Sequence, residues 1–391
     1  MSIQSNKPRT LIFSLRNIFG KDLFRCPHFE FEDTILQLDG ADIVAPRAES
    51  ESFRNLLANR IAFHSPMLLK ANIEQVPVKG SYDLFFAICG QPIDLLMIEA
   101  ASKLRDACKT KICLIDELWI KQMAPHRYFL DVLKGFDLVV LYYSQSVQSL
   151  SNRIGVRCEF LPPGIDSMSF CPLPDSPRRG IDVYSVGRRS EKTHEALLQM
   201  AEKQAMLYLY DSISGTRALN TRQHRQLFAN VAKRSRYFIV NPGLIDRPER
   251  RGNQLEIGNR YFEGAAAGAI MIGETPVNEQ FKRLFDWPDA VIQLSYDSTA
   301  IADIINDLDR QPDRQENIRR TNMFHALTRH DWAYRWESIL DMVGAERTAS
   351  LIEKKERLQT LAEQVTPEKK ERLHALEQQV AFTSQIDLSV R

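Results

Sequence analysis

Short apolar runs alternate with helix-like segments along most of the 391-residue chain. Six strand candidates lie between Leu11 and Leu161, and five more lie between Ile181 and Leu294. The segments between them carry apolar residues at the 3.6-residue spacing of a helix, as in Ile93–Cys108. Strand and helix repeated in this way predict parallel sheets with helices on both faces, which is the α/β class.

A proline-rich stretch interrupts this alternation. Five prolines fall between Pro162 and Pro177, and such a stretch cannot hold a regular helix or a central strand. We therefore expect two Rossmann-like domains that face a cleft, joined by a linker. The predicted division is an N-terminal domain over 1–160, a linker over 161–178, a C-terminal domain over 179–343 and a helical tail over 344–391.

The tail repeats apolar residues at three- and four-residue steps. One group is Leu358, Leu361 and Val365, and a second group follows from Leu373 to Val380. Two helices that pack on the body of the protein fit this pattern. A homo-oligomer formed through the tail also fits, since coiled coils use the same stripe.

Composition excludes several classes of protein. Lys plus Arg is 51 and Asp plus Glu is 50, and a net charge of +1 argues against nucleic-acid binding. No apolar run reaches the ~18 residues of a membrane span. Six cysteines without a CxxC pair indicate free thiols in a reducing compartment. We expect a cytoplasmic protein, and a peripheral position at the inner membrane face stays open.

The turn at Gly187 is the first candidate binding site. It follows a strand candidate directly and opens a helix, and helix N-termini favour anions. Arg188 and Lys192 would add positive charge for a diphosphate. The segment lacks the GxGxxG of dinucleotide sites and the GKS or GKT end of a P-loop. A solvated basic loop is the alternative.

The segment from Gly258 to Ile272 is the second candidate. A helix begins near Gly258, continues through small residues to Gly268 and leads into a buried strand. Glu263 lies in the middle of this apolar helix, where an unpaired carboxylate is costly. Two vicinal hydroxyls of a ribose would satisfy it. A local salt bridge to Arg260 would satisfy it as well.

Four blocks in order resemble those of GT-B glycosyltransferases of the group-1 or CgeB-like kind. The blocks are Leu161-Pro-Pro-Gly-Ile-Asp166 with Phe170 and Pro172, Val186-Gly-Arg188, Arg260-Tyr-Phe-Glu-Gly-Ala-Ala-Ala-Gly268 and His330-Asp-Trp-Ala-Tyr-Arg335. They cover Leu161 to Val343, and the first 160 residues carry no assigned motif. The resemblance implies a glycosyltransferase that moves a sugar from a nucleoside diphosphate sugar to an unknown acceptor.

The resemblance also implies residue roles. The C-terminal domain would hold the donor, with Glu263 on the ribose hydroxyls. The diphosphate would lie near Gly187, Arg188 and Lys192 and near the helix start at Gly258 and Asn259, with Arg260 as a further candidate. The related family-4-type enzymes have a glutamate eight positions before this one, where this chain has Leu255. Glu256 is adjacent, so it is a candidate for the sugar side of the site.

No metal and no cofactor are expected, because the nucleotide sugar is a substrate and this fold offsets leaving-group charge with cations and a helix dipole. Asp307-Leu-Asp309 matches the DxD letters of metal-dependent transferases but lies at a helix end. Asp116, directly after a strand candidate, is the first candidate for a base that takes the acceptor proton. His64 and His126 are further candidates, and each of the three has a structural alternative.

Two other functions remain open from the sequence. One is a nucleotide-sugar epimerase on the same scaffold. The other is a non-catalytic binding or assembly subunit, which the irregular glutamate spacing keeps open. Retention and inversion at the transferred sugar are not distinguished.

Overall fold

The protein is described here by a computed structural model over residues 10–47, 73–74, 81–204, 206–211 and 217–366. All eleven predicted strands are present in these ranges. They are β1 (Thr10–Phe13), β2 (Asp42–Val44), β3 (Tyr82–Cys89), β4 (Cys108–Ile115), β5 (Leu138–Leu141), β6 (Cys158–Phe160), β7 (Ile181–Ser185), β8 (Tyr208–Tyr210), β9 (Ser235–Val240), β10 (Ile270–Gly273) and β11 (Ile292–Gln293).

The strands form two parallel sheets. The first has the order β2-β1-β3-β4-β5-β6, and the second has the order β11-β10-β9-β7-β8. The proline-rich stretch separates them in sequence. The predicted α/β class, with two Rossmann-like units, is confirmed.

Each sheet is covered on both faces. Along β3, Phe85 packs in one apolar cluster and Phe86 in another, because successive side chains of a strand point to opposite faces. Phe238 and Ile239 on β9 divide in the same way between the two clusters of the second sheet. Strands buried on both faces explain the nearly continuous apolar runs in the sequence.

Helices connect the strands. In chain order they are α1 (Arg16–Phe19), α2 (Cys26–Asp39), α3 (Leu95–Ala100), α4 (Ser102–Asp106), α5 (Ile120–Met123), α6 (Arg127–Leu130), α7 (Val147–Ile154), α8 (Ser167–Phe170), α9 (Glu191–Gln204), α10 (Thr221–Lys233), α11 (Pro248–Arg251), α12 (Asn259–Ala266), α13 (Glu279–Leu284), α14 (Ile301–Asp309), α15 (Pro312–His325), α16 (Trp332–Val343) and α17 (Ala349–Glu363). Among the described residues, no helix is long and apolar enough to cross a membrane.

The loops that follow the strands of one sheet contact those that follow the strands of the other. Asp22, after β1, forms an antiparallel bridge with Arg217, after β8. Gly243, after β9, lies against the rings of Trp119 and Tyr143, which follow β4 and β5. The carboxyl edges of the two sheets therefore face each other across a cleft, which is where open α/β sheets bind ligands.

The last two described helices return to the first sheet. Trp332 on α16 stacks on Phe31 of α2, with ring centroids 4.6 Å apart. On α17, Leu351 and Leu358 are buried in the same cluster as Trp332. The first half of the predicted tail thus docks on the protein's own core. The predicted second helix, from Pro367 onward, lies outside the described residues.

Two of the motifs from the sequence meet at this junction. Ile165 donates its N–H to the His330 carbonyl at 3.0 Å, and Trp332 donates back to the Ile165 carbonyl at 3.1 Å. A Cβ on Gly164 would lie 2.4 Å from the Trp332 ring, so this close approach requires glycine. The linker motif and the His330–Arg335 motif therefore form one structural unit.

Candidate active-site cleft

The turn after β7 carries the first set of candidate residues. Gly187 has a φ of 84°, a left-handed conformation that favours glycine. Its N–H donates to Asp211 Oδ2 at 2.6 Å, which ties the turn to the end of β8. Arg188 is 48 % exposed and pairs with Asp246 at 3.0 Å. Lys192, in the first turn of α9, is exposed and forms no ion pair with any residue that the structure describes.

A small pocket lies beside this turn. Ser185, Asn241 and Gly273, at the carboxyl ends of β7, β9 and β10, line it together with Ser190 and Thr193 at the start of α9. The Ser190 hydroxyl donates to Asp297 Oδ1 at 2.9 Å. The start of α9 is therefore tied by Ser190 to the loop that follows β11, and the neighbouring Arg189 lines the pocket.

The helix that carries Glu263 is α12, and it begins as predicted. Gly258 is its N-cap residue and Asn259 its first residue, and no side chain caps the helix. Glu263 is completely buried. Its Oε1 accepts from Arg225 and its Oε2 accepts from Arg260. Burial alone raises the pKa of Glu263, but the two guanidinium groups lower it below its ordinary value.

Arg225, on α10, extends this pair into a chain of charges across the cleft. Its Nε donates to Oε2 of Glu30 on α2 at 2.7 Å. Glu30 Oε1 accepts two further bonds, from the Asp166 N–H at 2.9 Å and from Trp332 Nε1 at 2.8 Å. We name this set the Arg225 chain: Glu30, Arg225, Glu263 and Arg260. Each of these side chains forms an ion pair with the next. The Arg225 chain therefore joins the two sheets through buried charge.

Asp116 lies on the opposite wall, at the carboxyl end of β4. Its Oδ2 is 2.6 Å from Nε2 of His28, on the first turn of α2. The neighbouring Glu117 is also in the cleft. Burial raises the pKa of Glu117 and Asp116 raises it further, while Arg188 and Arg250 lower it. Glu117 at the edge of the first sheet thus faces cations carried by the second sheet, while Asp116 pairs with His28.

Glu256 lies between the two sheets. It is buried, and its carboxylate accepts from the backbone N–H groups of Ser144 at 3.2 Å and Gln145 at 3.1 Å. Gln254 donates to it at 2.7 Å. Burial raises the pKa of Glu256 to about 7, against the opposing effect of these bonds. Glu256 therefore connects a loop of the second sheet to the start of a helix of the first sheet.

The predicted residues form two groups. Tyr143 marks the first, since burial raises the pKa of its phenol, the carboxylates of Asp116 and Glu256 raise it further and Arg188 lowers it. Tyr184 marks the second. Burial raises the pKa of its phenol, Arg260 lowers it and Glu263 raises it. The group around Tyr143, with Asp116, Glu256 and Arg188, therefore spans the cleft. The group around Tyr184, with Arg260 and Glu263, lies on the second sheet's side of the cleft.

Three residues of these groups were missed by sequence reasoning. His28 follows Cys26-Pro27, a helix-start signal that marks the first turn of α2 but not its neighbour Asp116, 88 positions away. Glu30 and Arg225 belong to helices with many other charged residues, and nothing in the sequence distinguishes them. His126 donates locally, from its Nδ1–H to the Gln122 carbonyl at 2.7 Å. His64 lies outside the described residues.

The DxD letters mark a structural turn. Asp309 accepts from Arg236 and from the Tyr237 hydroxyl, and Asp307 accepts from Gln311 at 2.8 Å. Over the described part of the chain, no group of three or more His, Cys, Asp and Glu side chains could hold a metal ion.

Residues 188–341 match the model of a family described as glycosyl transferase-like. Most of the predicted C-terminal domain is therefore similar to this family. The match spans the Arg188 turn and the Glu263 helix but covers less than half of the chain. No curated protein matches the sequence.

Two solved structures show the same fold over nearly the whole chain. An α-glucosyltransferase in complex with UDP and a 13-mer DNA containing an HMU base superposes with a TM-score of 0.52 at 9 % identity, covering 87 % of this chain and 100 % of that one. An α,α-trehalose-phosphate synthase (UDP-forming) from Burkholderia vietnamiensis gives a TM-score of 0.53 at 10 % identity, with 90 % and 99 % covered. At such identities the likeness establishes the fold alone.

The family match and the fold together confirm the prediction of a GT-B glycosyltransferase. The group-1 or CgeB-like subtype stays a prediction, as do the individual site residues.

Proposed function

We propose that this glycosyltransferase transfers a sugar from a nucleoside diphosphate sugar to a hydroxyl acceptor, without a metal ion. The observation that carries the proposal is the arrangement of charge across the cleft. Arg188 and the start of α9 lie at the carboxyl edge of the second sheet, opposite Asp116 and Glu117 at the edge of the first. Cations on one wall suit a diphosphate, and carboxylates on the other suit the hydroxyls of an acceptor.

In this proposal residues 179–343 hold the donor and residues 1–160 hold the acceptor. Arg188, Lys192 and the N-terminal turn of α9 bind the diphosphate, with Arg260 and the start of α12 at Gly258 and Asn259 close by. Fixed cations and a helix dipole stabilise the charge that develops on the leaving group, which is the task a metal ion performs elsewhere.

Glu263 is proposed to bind the ribose of the donor. Its two ion pairs use one acceptor site on each oxygen, and an ionised carboxylate offers about four. Arg260 is 34 % exposed, so it has room to move when a nucleotide enters. Arg225 would then keep Glu263 ionised and oriented. Glu256 acts in this proposal by positioning the cleft loops.

The first test is thermal denaturation of the full chain with UDP, GDP, ADP, CDP and dTDP, with and without EDTA. A nucleotide at a hundredfold excess over its Kd stabilises the folded state by about 2.7 kcal/mol, which for a chain of this length raises Tm by roughly 3 °C. We expect one nucleotide to produce this rise, unchanged by EDTA. A folded protein that no nucleotide stabilises would contradict the proposal.

The second test is Arg188→Ala. Loss of a charge-assisted hydrogen bond to phosphate costs about 1.5–3 kcal/mol, so we expect the Kd for the stabilising nucleotide to rise at least ~10-fold in calorimetric titration. The Tm without nucleotide should stay close to that of the wild type, because the Arg188–Asp246 pair is exposed.

Arg283→Ala is the matched control for this experiment. Arg283 is an exposed arginine in the last turn of α13, in the same domain and without a described ion-pair partner. Its replacement should leave the nucleotide Kd unchanged. Equal effects of the two variants would show that only the net charge of the domain matters, and the assignment of Arg188 would be lost.

A further inference from the structure

A groove runs between α2, which covers the first sheet, and α10, which covers the second. One side of α2 forms its first wall, at the three- and four-residue spacing of a helix face: Cys26, Phe29, Glu30, Asp33, Thr34 and Gln37. The start of α10 forms the second wall, with Thr221, Arg225 and Gln226. The cavity has a volume of about 430 Å³, within the ~300–1,000 Å³ that small-molecule sites occupy. We name it the α2–α10 groove.

The α2–α10 groove lies apart from the place where the sugar is proposed to be transferred. A helix turns by about 100° per residue, so His28 lies on the side of α2 away from the groove. At one end of the groove, next to Gly20, the Ala218 N–H donates to the Lys21 carbonyl at 2.6 Å and joins the two loops there. The described residues that line the groove do not include Arg188. The groove is therefore a second cavity between the two sheets.

The charges in the walls of the groove neutralise one another. Three ion pairs lie along it: Arg16–Asp33 at 2.8 Å, Arg225–Glu30 at 2.7 Å and Lys354–Asp166 at 3.6 Å. Among the cations that line the groove, Arg222 is the one without an ion-pair partner in the described part of the chain. A nucleic acid, a polyphosphate or an anionic membrane needs several unpaired cations. The charge balance therefore favours a neutral ligand.

The uncharged side chains of the groove suit a compound with many hydroxyls. Gln37 lines the first wall, and Thr221 and Gln226 line the second. None of these three side chains forms a hydrogen bond with another described residue. Amides and hydroxyls both donate and accept, as the hydroxyls of a sugar do. Phe29 adds an apolar surface to the first wall, and such a mixture of polar and aromatic groups fits the polar edge and the apolar face of a sugar ring.

Arg225 gives a second, independent sign of a ligand. The residue is 8 % exposed, and its Nη2 has no hydrogen-bond partner among the described residues. A buried N–H without an acceptor is costly. The charge of Arg225 is already matched by Glu30 and Glu263, so this remaining N–H suits a neutral oxygen better than an anion. A sugar hydroxyl is such an acceptor.

We propose that the α2–α10 groove is a second binding site of this protein and that it takes a neutral oligosaccharide. The hydroxyls of the ligand bond to Gln37 on one wall and to Gln226 on the other, and no covalent bond changes there. Because the two walls belong to helices of different sheets, a bound oligosaccharide stabilises the present arrangement of the two sheets. The site goes beyond the proposed function and does not depend on it.

Ligand-detected NMR titration of the full chain, without nucleotide, measures this binding. The probes are maltotriose, cellotriose and chitotriose, which are neutral trisaccharides that differ in linkage and substituent. Trigalacturonate, a trisaccharide with a carboxylate on each ring, is the anionic comparison. We expect at least one neutral probe to bind and trigalacturonate to bind more weakly than that probe, because the groove has little unpaired positive charge.

Two alanine variants locate the bound probe. Gln37→Ala and Gln226→Ala each remove the hydrogen bonds of one wall, so the Kd of the bound probe should rise at least ~3-fold in each and ~10-fold or more in the double variant. Both side chains are exposed, so the Tm without a probe should change little. Gln223→Ala is the matched control, because Gln223 is an exposed glutamine of α10 outside the groove, and it should leave the Kd unchanged.

Three results would overturn the proposal. The first is that no neutral probe binds, and the second is that trigalacturonate binds more tightly than all of them. The third is a Kd that the double variant leaves unchanged, since the sugar would then bind elsewhere, as in the cleft. None of these measurements involves a nucleotide, so a failure of the proposed function in thermal denaturation would leave the groove assignment standing.

Discussion

Replacing Leu351 and Leu358 together with alanine should lower the free energy of unfolding by about 5 kcal/mol or more. Both side chains are fully buried against the first sheet, in the cluster that contains Ile35 of α2. Each Leu→Ala change in a core costs about 2–5 kcal/mol, and positions two turns apart on a helix add nearly independently. The loss is comparable with the whole net stability of many domains.

Urea denaturation followed by circular dichroism measures this effect. Ile352→Ala is the matched control on the same helix, since Ile352 is 48 % exposed and its truncation should change stability by no more than about 0.5 kcal/mol. If the double variant lost less than about 1 kcal/mol, α17 would not be part of the core, and the apolar stripe would be free for another partner.

Replacing Arg225 with methionine should cost about 3–5 kcal/mol of stability. The change removes the shared partner of two acidic side chains, Glu30 and the fully buried Glu263, and leaves Glu263 with Arg260 as its remaining ion-pair partner among the described residues. Breaking one side of a buried ion pair is more costly than removing the whole pair, because the remaining charge stays in a poorly solvated place.

The pH dependence gives this prediction a second readout. The folded-state pKa of Glu263 is below its ordinary value, so its ion pairs stabilise the protein at neutral pH and that stabilisation fades as pH falls. Without Arg225 this contribution is reduced. That contribution is complete above the ordinary pKa of 4.5 and is lost as pH falls through the lower folded-state pKa, so the stability difference between wild type and Arg225→Met should be larger at about pH 6 than at about pH 3.

Two further variants isolate the cause. Arg222→Met, one turn earlier on α10 at an exposed position, should have little effect. Adding Glu263→Gln to Arg225→Met should recover about 1 kcal/mol or more, since the pair is coupled. No recovery would mean that Arg225 stabilises the protein by packing on Phe170 and Phe228, which its guanidinium also contacts.

Local pattern accounts for the elements of this fold. Runs such as Leu138–Leu141 have apolar side chains on both faces, which suits a strand covered by helices on both sides, and all eleven strands lie where such runs predict them. The helix at Gly258 was predicted for a similar reason, because its small residues allow close packing. A Cβ on Gly264 would lie 2.8 Å from Met271 on β10.

The charge partners across the cleft could not be predicted from local sequence pattern in this way. The sequence placed Glu263 in an apolar helix and required a partner for it, with Arg260 as one choice. It gave no sign of Arg225, 38 positions earlier on another helix, or of Glu30 beyond it. Each contact is a single pair of side chains at long sequence separation, and such pairs leave no periodic trace.

The sequence by itself determined the α/β class, the strands, the helix starts and the motifs of the glycosyltransferase-like domain, because propensity, periodicity and helix signals act over a few residues. Only the tertiary structure decided that His28 meets Asp116, that Arg225 joins the two sheets and that α17 covers the first sheet. Those contacts depend on how the two sheets and their helices pack, and packing brings together side chains that the chain itself keeps far apart.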